Sequence, residues 1–365
     1  MKQFSASSSF FAILLLSATI ILSEPSCKKT DPSNPDLKPV FTGTKSLVLP
    51  RYLLGAAAAG HKILFAGGSN GDQAYCDTID VFDLSTNTHT AASLFEPRAA
   101  MGSAGLGNII MFAGGQKEGG TSRLIDIYNT TTNAWSFSTL SVARANLAGA
   151  ATWNKILFAG GWDVSGADRD VVDIYDITSG TWSVSNLSEP RNELAGAGTK
   201  FTILFAGGQK NGSVSKAVDI YNVLTGIWKT AQLSEARLAP AAAGAGNKIV
   251  IAGGSTGFQA SKTVDIYDVN TDTWTVAQLS TARASVSATA AGNFVFIGGG
   301  SGPAGISDVV DVYNVVSGQW TVLKLSQAKL GLAAAANGTT IYFGGGATGI
   351  DYASATATVD VFELK

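Results

Sequence analysis

One feature limits the possible folds of this chain more than any other: a unit repeated seven times at intervals of 46 or 47 residues. Paired glycines end at Gly68, Gly115, Gly161, Gly208, Gly254, Gly300 and Gly346. Each pair is followed by an Asp-x-aromatic step, from Asp80/Phe82 through Asp126/Tyr128 to Asp360/Phe362. Seven residues after the aromatic stand Trp135, Trp182, Trp228, Trp274 and Trp320, with His89 in that slot of the first unit. A basic residue closes each period: Arg51, Arg98, Arg144, Arg191, Arg237, Arg283 and Lys329. Landmarks held at one phase seven times define a repeat architecture, and a period near 46 is that of a propeller blade of four short strands.

Each unit reads as four strands. The first is an Ala/Gly run such as 55–59, too short for a stable helix and closed by a Gly-His or Gly-Asn turn pair. Small side chains suit a strand placed where seven blades converge on an axis. The second, such as Ile63-Leu64-Phe65-Ala66, is continuously apolar, the pattern of a strand buried on both faces. The third carries the Asp-x-aromatic step and the fourth begins at the Trp. The class expected is all-β, a ring of seven sheets with no helix required.

The glycine pair, the aromatic and the Trp seven residues later resemble the kelch repeat, over residues 40–365. The resemblance implies a seven-bladed kelch-like β-propeller. The chain stops at Lys365, directly after a third strand, while Leu47-Val48-Leu49-Pro50-Arg51 aligns with the fourth-strand segment Leu279-Ser280-Thr281-Ala282-Arg283. The N-terminal segment is therefore expected to supply the missing outer strand of the last blade, as in kelch propellers, which removes an exposed sheet edge.

Ahead of the ring, Lys2 precedes a 13-residue apolar run from Phe10 to Leu22. A spanning helix needs about 20 residues, so residues 1–26 read as a secretory signal. Cys27, in Ser26-Cys27-Lys28-Lys29, resembles the acylated cysteine of Bacteroidetes-type lipoproteins, although Glu24 and Pro25 depart from the usual preceding residues. Residues 27–39, with Pro32, Pro35 and Pro39, read as a tether. The location expected is outside the cytoplasm, lipid-anchored at an outer membrane or cell surface.

Composition narrows the chemistry. The 25 Lys+Arg against 27 Asp+Glu provide no basic stripe for nucleic acid. Two cysteines make no disulfide framework. The two histidines sit on repeat positions, His61 at a turn and His89 in the Trp slot, so a Ser-His-Asp arrangement has no free histidine. The glycine pairs lack the Lys-Ser/Thr of a phosphate loop. Cys76 stands in a connecting loop with no histidine partner in its segment. Asp163, Ser165, Asp168 and Asp170 alternate like a calcium loop, but the run is short and lacks the terminal Glu. No cofactor and no metal are expected.

A residue present in every blade is structural, since seven sites cannot all be the active one. Subtracting the repeat leaves the residues that differ between blades, and in blades two to four these are Gln116, Lys117, Asn146, Trp162, Asp163, Asn192, Glu193, Gln209 and Lys210. They fall in the loops after the glycine pair and around the closing Arg, which emerge on one face of a kelch-like ring. The expectation is a monomeric binding or scaffold module for a protein or glycan ligand, with Trp162 as an exposed anchor. Two alternatives stand beside it: a purely structural surface protein, and a sugar epimerase or mutarotase-like enzyme with Glu193, near Arg191, as its acid/base.

Overall fold

The computed structural model describes residues 37–71, 74–350 and 354–365. The segment read as a signal, Cys27 and most of the tether lie outside the described residues. Seven four-stranded antiparallel sheets account for the rest, with three two-stranded hairpins in the loops of blades two, four and six and no helix among the described residues. Blade one is typical: Gly55–Ala59, Lys62–Ala66, Thr78–Asp83 and Thr88–Ser93, in that spatial order. The innermost strand of each blade lies beside that of the next, and the seventh (Ala333–Asn337) returns to the first.

The second strands form the core, and Ile63, Leu64, Phe65 and Ala66 are wholly buried. Apolar clusters sit between blades rather than within them: Ala57, Leu64 and Val81 of blade one pack with Ile110, Phe112 and Tyr128 of blade two. The blades meet so closely at the axis that a Cβ on Gly105 would stand 2.1 Å from the Ala58 carbonyl oxygen. The glycine pair has a comparable reason. Gly67 has φ +60°, and a Cβ there would lie 2.3 Å from the Arg98 carbonyl oxygen.

The basic residue and the Asp-x-aromatic step turn out to be one device. Arg98 donates to the carbonyls of Gly114 and Leu124, each at 2.8 Å, and pairs with Asp126 in full burial. The other oxygen of Asp126 accepts the Phe95 N–H at 2.8 Å, binding the end of blade one to blade two. The repeated Arg thus ties two backbone carbonyls and the repeated Asp together. Lys329 does the same in blade seven, reaching the carbonyls of Phe343 and Thr358 and lying 2.7 Å from Asp360. His89 fills the Trp slot by stacking on Phe82, centroids 4.2 Å apart, and by meeting Asp80 at 2.7 Å.

The ring closes as expected. Pro39–Ser46 pairs antiparallel with Thr358–Leu364, from Pro39 opposite Leu364 to Ser46 opposite Thr358. The pairing starts at Pro39, and Leu37 is already buried, so the last residues assigned to the tether, 37–39, belong to the ring.

Strand direction gives the ring two faces. The long loops that follow the glycine pairs share one face, the loop face, with the segments around the closing Arg. The short turns between first and second strands, and between third and fourth, share the other, the turn face.

Candidate functional site

Two residues after each closing basic residue the backbone enters the left-handed region. Leu53, Ala100, Asn146, Glu193, Ala239, Ser285 and Gly331 all have φ between 46° and 62°. Six of the seven are not glycine, so the conformation is held by its surroundings. The holding contact is a belt of backbone hydrogen bonds around the channel mouth. Ala100 donates to Leu53, Asn146 to Ala100, Glu193 to Asn146, Ala239 to Glu193 and Leu53 to Gly331, at 2.8 to 3.1 Å.

These residues point their side chains around a depression of about 580 Å³ on the loop face. Its collar is apolar, with Met101, Leu147, Leu194, Val286 and Leu332 among its residues, and its rim carries Gln116, Asn146, Glu193 and Ser285. The polar groups are not evenly spread. Blades five and seven contribute Ala239 and Gly331, whereas Asn146 and Glu193 stand side by side, with the Asn146 amide 3.4 Å from the Glu193 carboxylate. Burial, reinforced by the nearby Asp168 carboxylate, raises the pKa of Glu193 above the ordinary glutamate range.

A second layer supports this pair. The buried Asn192 donates to Asp168 and accepts from Gln209 at 3.3 Å, and the other Asp168 oxygen takes the Asn211 N–H at 2.7 Å. Asp168, which the sequence singled out only within the acidic loop, thus joins the loops of blades three and four. The Asp163 carboxylate is occupied by the Ser165 hydroxyl, by the Ser165 and Ala167 N–H groups and by Arg169. Those donors depress its pKa strongly, the Ser165 hydroxyl and Arg169 most. It closes a turn.

The remaining candidates separate from the mouth. Lys117 pairs with Glu96 at 2.8 Å and Lys210 with Glu189 at 3.3 Å, both toward the outer rim. Trp162 is half-buried, bridged through its backbone to Ala145 and Asp168, so the expected free indole is partly tucked in. The proposed neighbourhood of Glu193 and Arg191 does not form. Arg191 is buried against the Gly207 and Ala217 carbonyls and Asp219, while Glu193 faces the mouth. Cys76 is buried, and burial raises its thiol pKa, which leaves little thiolate for nucleophilic work.

A family model described as the kelch motif matches residues 50–93 and 236–278, two of the seven units. The ring is a seven-bladed β-propeller that carries kelch motifs. Among solved structures, the one described as the structure of YjhT is similar to it with a TM-score of 0.60 and 17% identity, over 76% of this chain and 99% of that one. No curated protein matches the sequence. A kelch propeller supports, at a coarse level, a role as a protein-interaction or scaffold module.

Sequence subtraction overlooked the apolar half of the mouth, because Leu147, Leu194 and Leu332 recur between blades and look structural. It also overlooked a pair on the turn face. Five blades have glycine at the left-handed turn position (Gly60, Gly107, Gly246, Gly292, Gly338), whereas blade three has Trp153 and blade four Lys200. Trp153 is 59% exposed and packs edge-on against Phe201, centroids 4.7 Å apart. A signal for it existed: Trp153 breaks a Gly/His/Asn turn pattern as plainly as Glu193 breaks the mouth.

Proposed function

We propose that this kelch-type propeller is an extracytoplasmic binding module that takes a protein or glycan ligand at the mouth of its loop face. The observation that carries this reading is the adjacent Asn146 and Glu193 above an apolar collar, in a ring whose corresponding positions in blades five and seven are Ala239 and Gly331. An apolar floor with a few directional groups on one side is the usual build of a ligand site. Asn192, Gln209 and Asp168 hold the loops that flank the pair. A glycan array and a pull-down from surface extracts, each run with Asn146→Ala/Glu193→Ala beside the unaltered chain, test it. Loss of a bound species at least tenfold in the variant supports the mouth; full retention with an intact fold overturns it.

An enzymatic reading, of the sugar epimerase or mutarotase kind, is favoured by the place of Glu193 at the mouth beside Asn146, where burial raises its pKa. Anomeric exchange of an aldose and sialic-acid panel, followed by NMR, would reveal it. Exchange abolished by Glu193→Gln would make the protein an enzyme.

The reading extends to location. We infer export by residues 1–26 and acylation at Cys27, supported by the apolar run and its following cysteine. Several acyl chains at about 0.8 kcal/mol per buried CH₂ would give durable attachment. Cys27→Ser should move the protein to the soluble fraction, and an unmodified mature N-terminus at another residue would reject the idea.

A further inference from the structure

The turn face carries a feature that the mouth does not explain. Trp153 occupies a left-handed position, φ +57°, that five other blades give to glycine, and it presents 59% of its surface to solvent. Phe201, 37% exposed, packs against it, and the preceding residue, the exposed Lys200 at φ +52°, donates to the Asn270 side chain at 2.9 Å. The apolar surface continues outward along blade four. Val223 donates its N–H to the Phe201 carbonyl at 2.9 Å, and the next residue, Leu224, is 58% exposed, with Ile227 at 65% a few positions on.

The chain enters the ring on this same face. Lys38 exchanges backbone hydrogen bonds with Lys365, and Leu364 donates to the Thr339 carbonyl in the first turn of blade seven, the slot that Val223 and Phe201 fill in blade four. In a ring of seven, blade seven lies across the axis from the junction of blades three and four. The turn face thus has the tether leaving on one side and an aromatic and aliphatic ridge beside a lysine on the other. The ten residues between Cys27 and Lys38 can extend at most about 36 Å. A chain anchored at Cys27 would keep the rim of this face within that distance of the bilayer.

We propose that the turn face is a membrane-contacting surface: Trp153 and Phe201 enter the headgroup layer of a lipid bilayer, with Leu224 and Ile227 behind them and Lys200 beside the phosphates. This rests on the reading of Cys27 as the anchor. The residue types are those of an interfacial site, since Trp settles at the headgroup level and Lys meets anionic lipid. Two points of attachment on opposite sides would lay the ring flat and turn its mouth outward.

The test separates the surface from the anchor. Full-length mature chain beginning at Cys27 is coupled through that thiol to maleimide-bearing lipid in phosphatidylcholine–phosphatidylglycerol vesicles, so the tether is fixed whether or not cells acylate it; Cys76 is buried and leaves Cys27 as the reactive thiol. A spin-labelled lipid carrying its quencher at headgroup depth should reduce tryptophan emission, and that quenching should fall at least twofold in Trp153→Phe and in Phe201→Ser/Leu224→Ser. Quenching equal in all three proteins overturns the proposal, as does unchanged accessibility of Trp153 to aqueous acrylamide on the vesicle. Protection of Trp153 by an added oligosaccharide instead of lipid, or by self-association at raised protein concentration, also overturns it and names the other occupant. Failure of Cys27 acylation in cells, with the quenching result intact, would overturn only the anchor.

Discussion

The segments Arg191-Asn192-Glu193 and Arg283-Ala284-Ser285 occupy the same place in blades four and six. Their backbones coincide: Glu193 and Ser285 have φ of 52° and 53°, and Asn192 bridges Gln209 as Ala284 bridges Ser301. Their arginines make the same bonds, Arg191 to Gly207 and Ala217 with Asp219, Arg283 to Gly299 and Val309 with Asp311. The side chains that follow differ completely. The framework that the two segments share is thus the buried Arg–Asp pair and the loop bridge, and neither uses the side chain on the rim. The residues that hold the fold and those of the proposed recognition surface are adjacent in sequence and separate in their contacts.

The largest effect should come from a change that no single blade contains. Deleting residues 28–49 removes the strand paired with Thr358–Leu364 and exposes an edge in blade seven. Loss of a cooperative melt or aggregation on purification is expected, and a melting temperature equal to the full chain's would refute strand closure as a stability element.

The shared framework is tested most directly by Arg191→Ala and Arg283→Ala. Each leaves a buried carboxylate unpaired, and each should cost about 3–5 kcal/mol in chemical denaturation. Equal losses in the two blades support a shared framework. A loss confined to Arg191 would mean that the polar sector also carries stability.

On the rim, Glu193→Gln should produce a smaller, pH-dependent change. The folded-state pKa of Glu193 is raised, chiefly by burial, so the fold binds this proton more tightly than the unfolded chain does. Stability is therefore undiminished below the unfolded value, about pH 4, and is lost as pH rises through the shifted value. Glu193→Gln should match the unaltered chain in melting temperature near pH 4 and exceed it at neutral pH. Ser285→Ala, the counterpart, should show no such divergence.

The smallest effect is expected on the turn face. Trp153→Gly relieves a left-handed tryptophan and should leave stability unchanged or raise it by up to about 1 kcal/mol, read as the denaturation midpoint. A clear loss would show that the Trp153–Phe201 contact supports the ring.

Most of the fold was legible because a propeller states its plan seven times. The glycine pairs, the apolar second strands and the displaced strand ahead of Leu47 each have a phase, and phase can be read from spacing alone. The Arg–Asp pairing was harder to read: Arg98 and Asp126 are 28 positions apart and belong to the same blade only once the closing Arg is assigned to the blade that follows it. Subtraction found Asn146 and Glu193 because they break the pattern, but it gave Lys117 and Lys210 equal weight. Their salt bridges to Glu96 and Glu189 depend on how far a loop reaches outward, which spacing does not encode. Trp162 illustrates the same limit, since its half-burial comes from the loop bridge to Asp168.

The closing strand also has a consequence in time. Pro39 meets Leu364 across nearly the whole chain, whereas every other outer strand pairs with a third strand a short turn away. Closing a loop of that length costs about 2–3 kcal/mol more than closing a twenty-residue one, by the logarithmic scaling of chain entropy. Six blades can form as residues become available during synthesis. The seventh must wait for Thr358–Leu364, so the last contact to form is the one that makes the ring a ring.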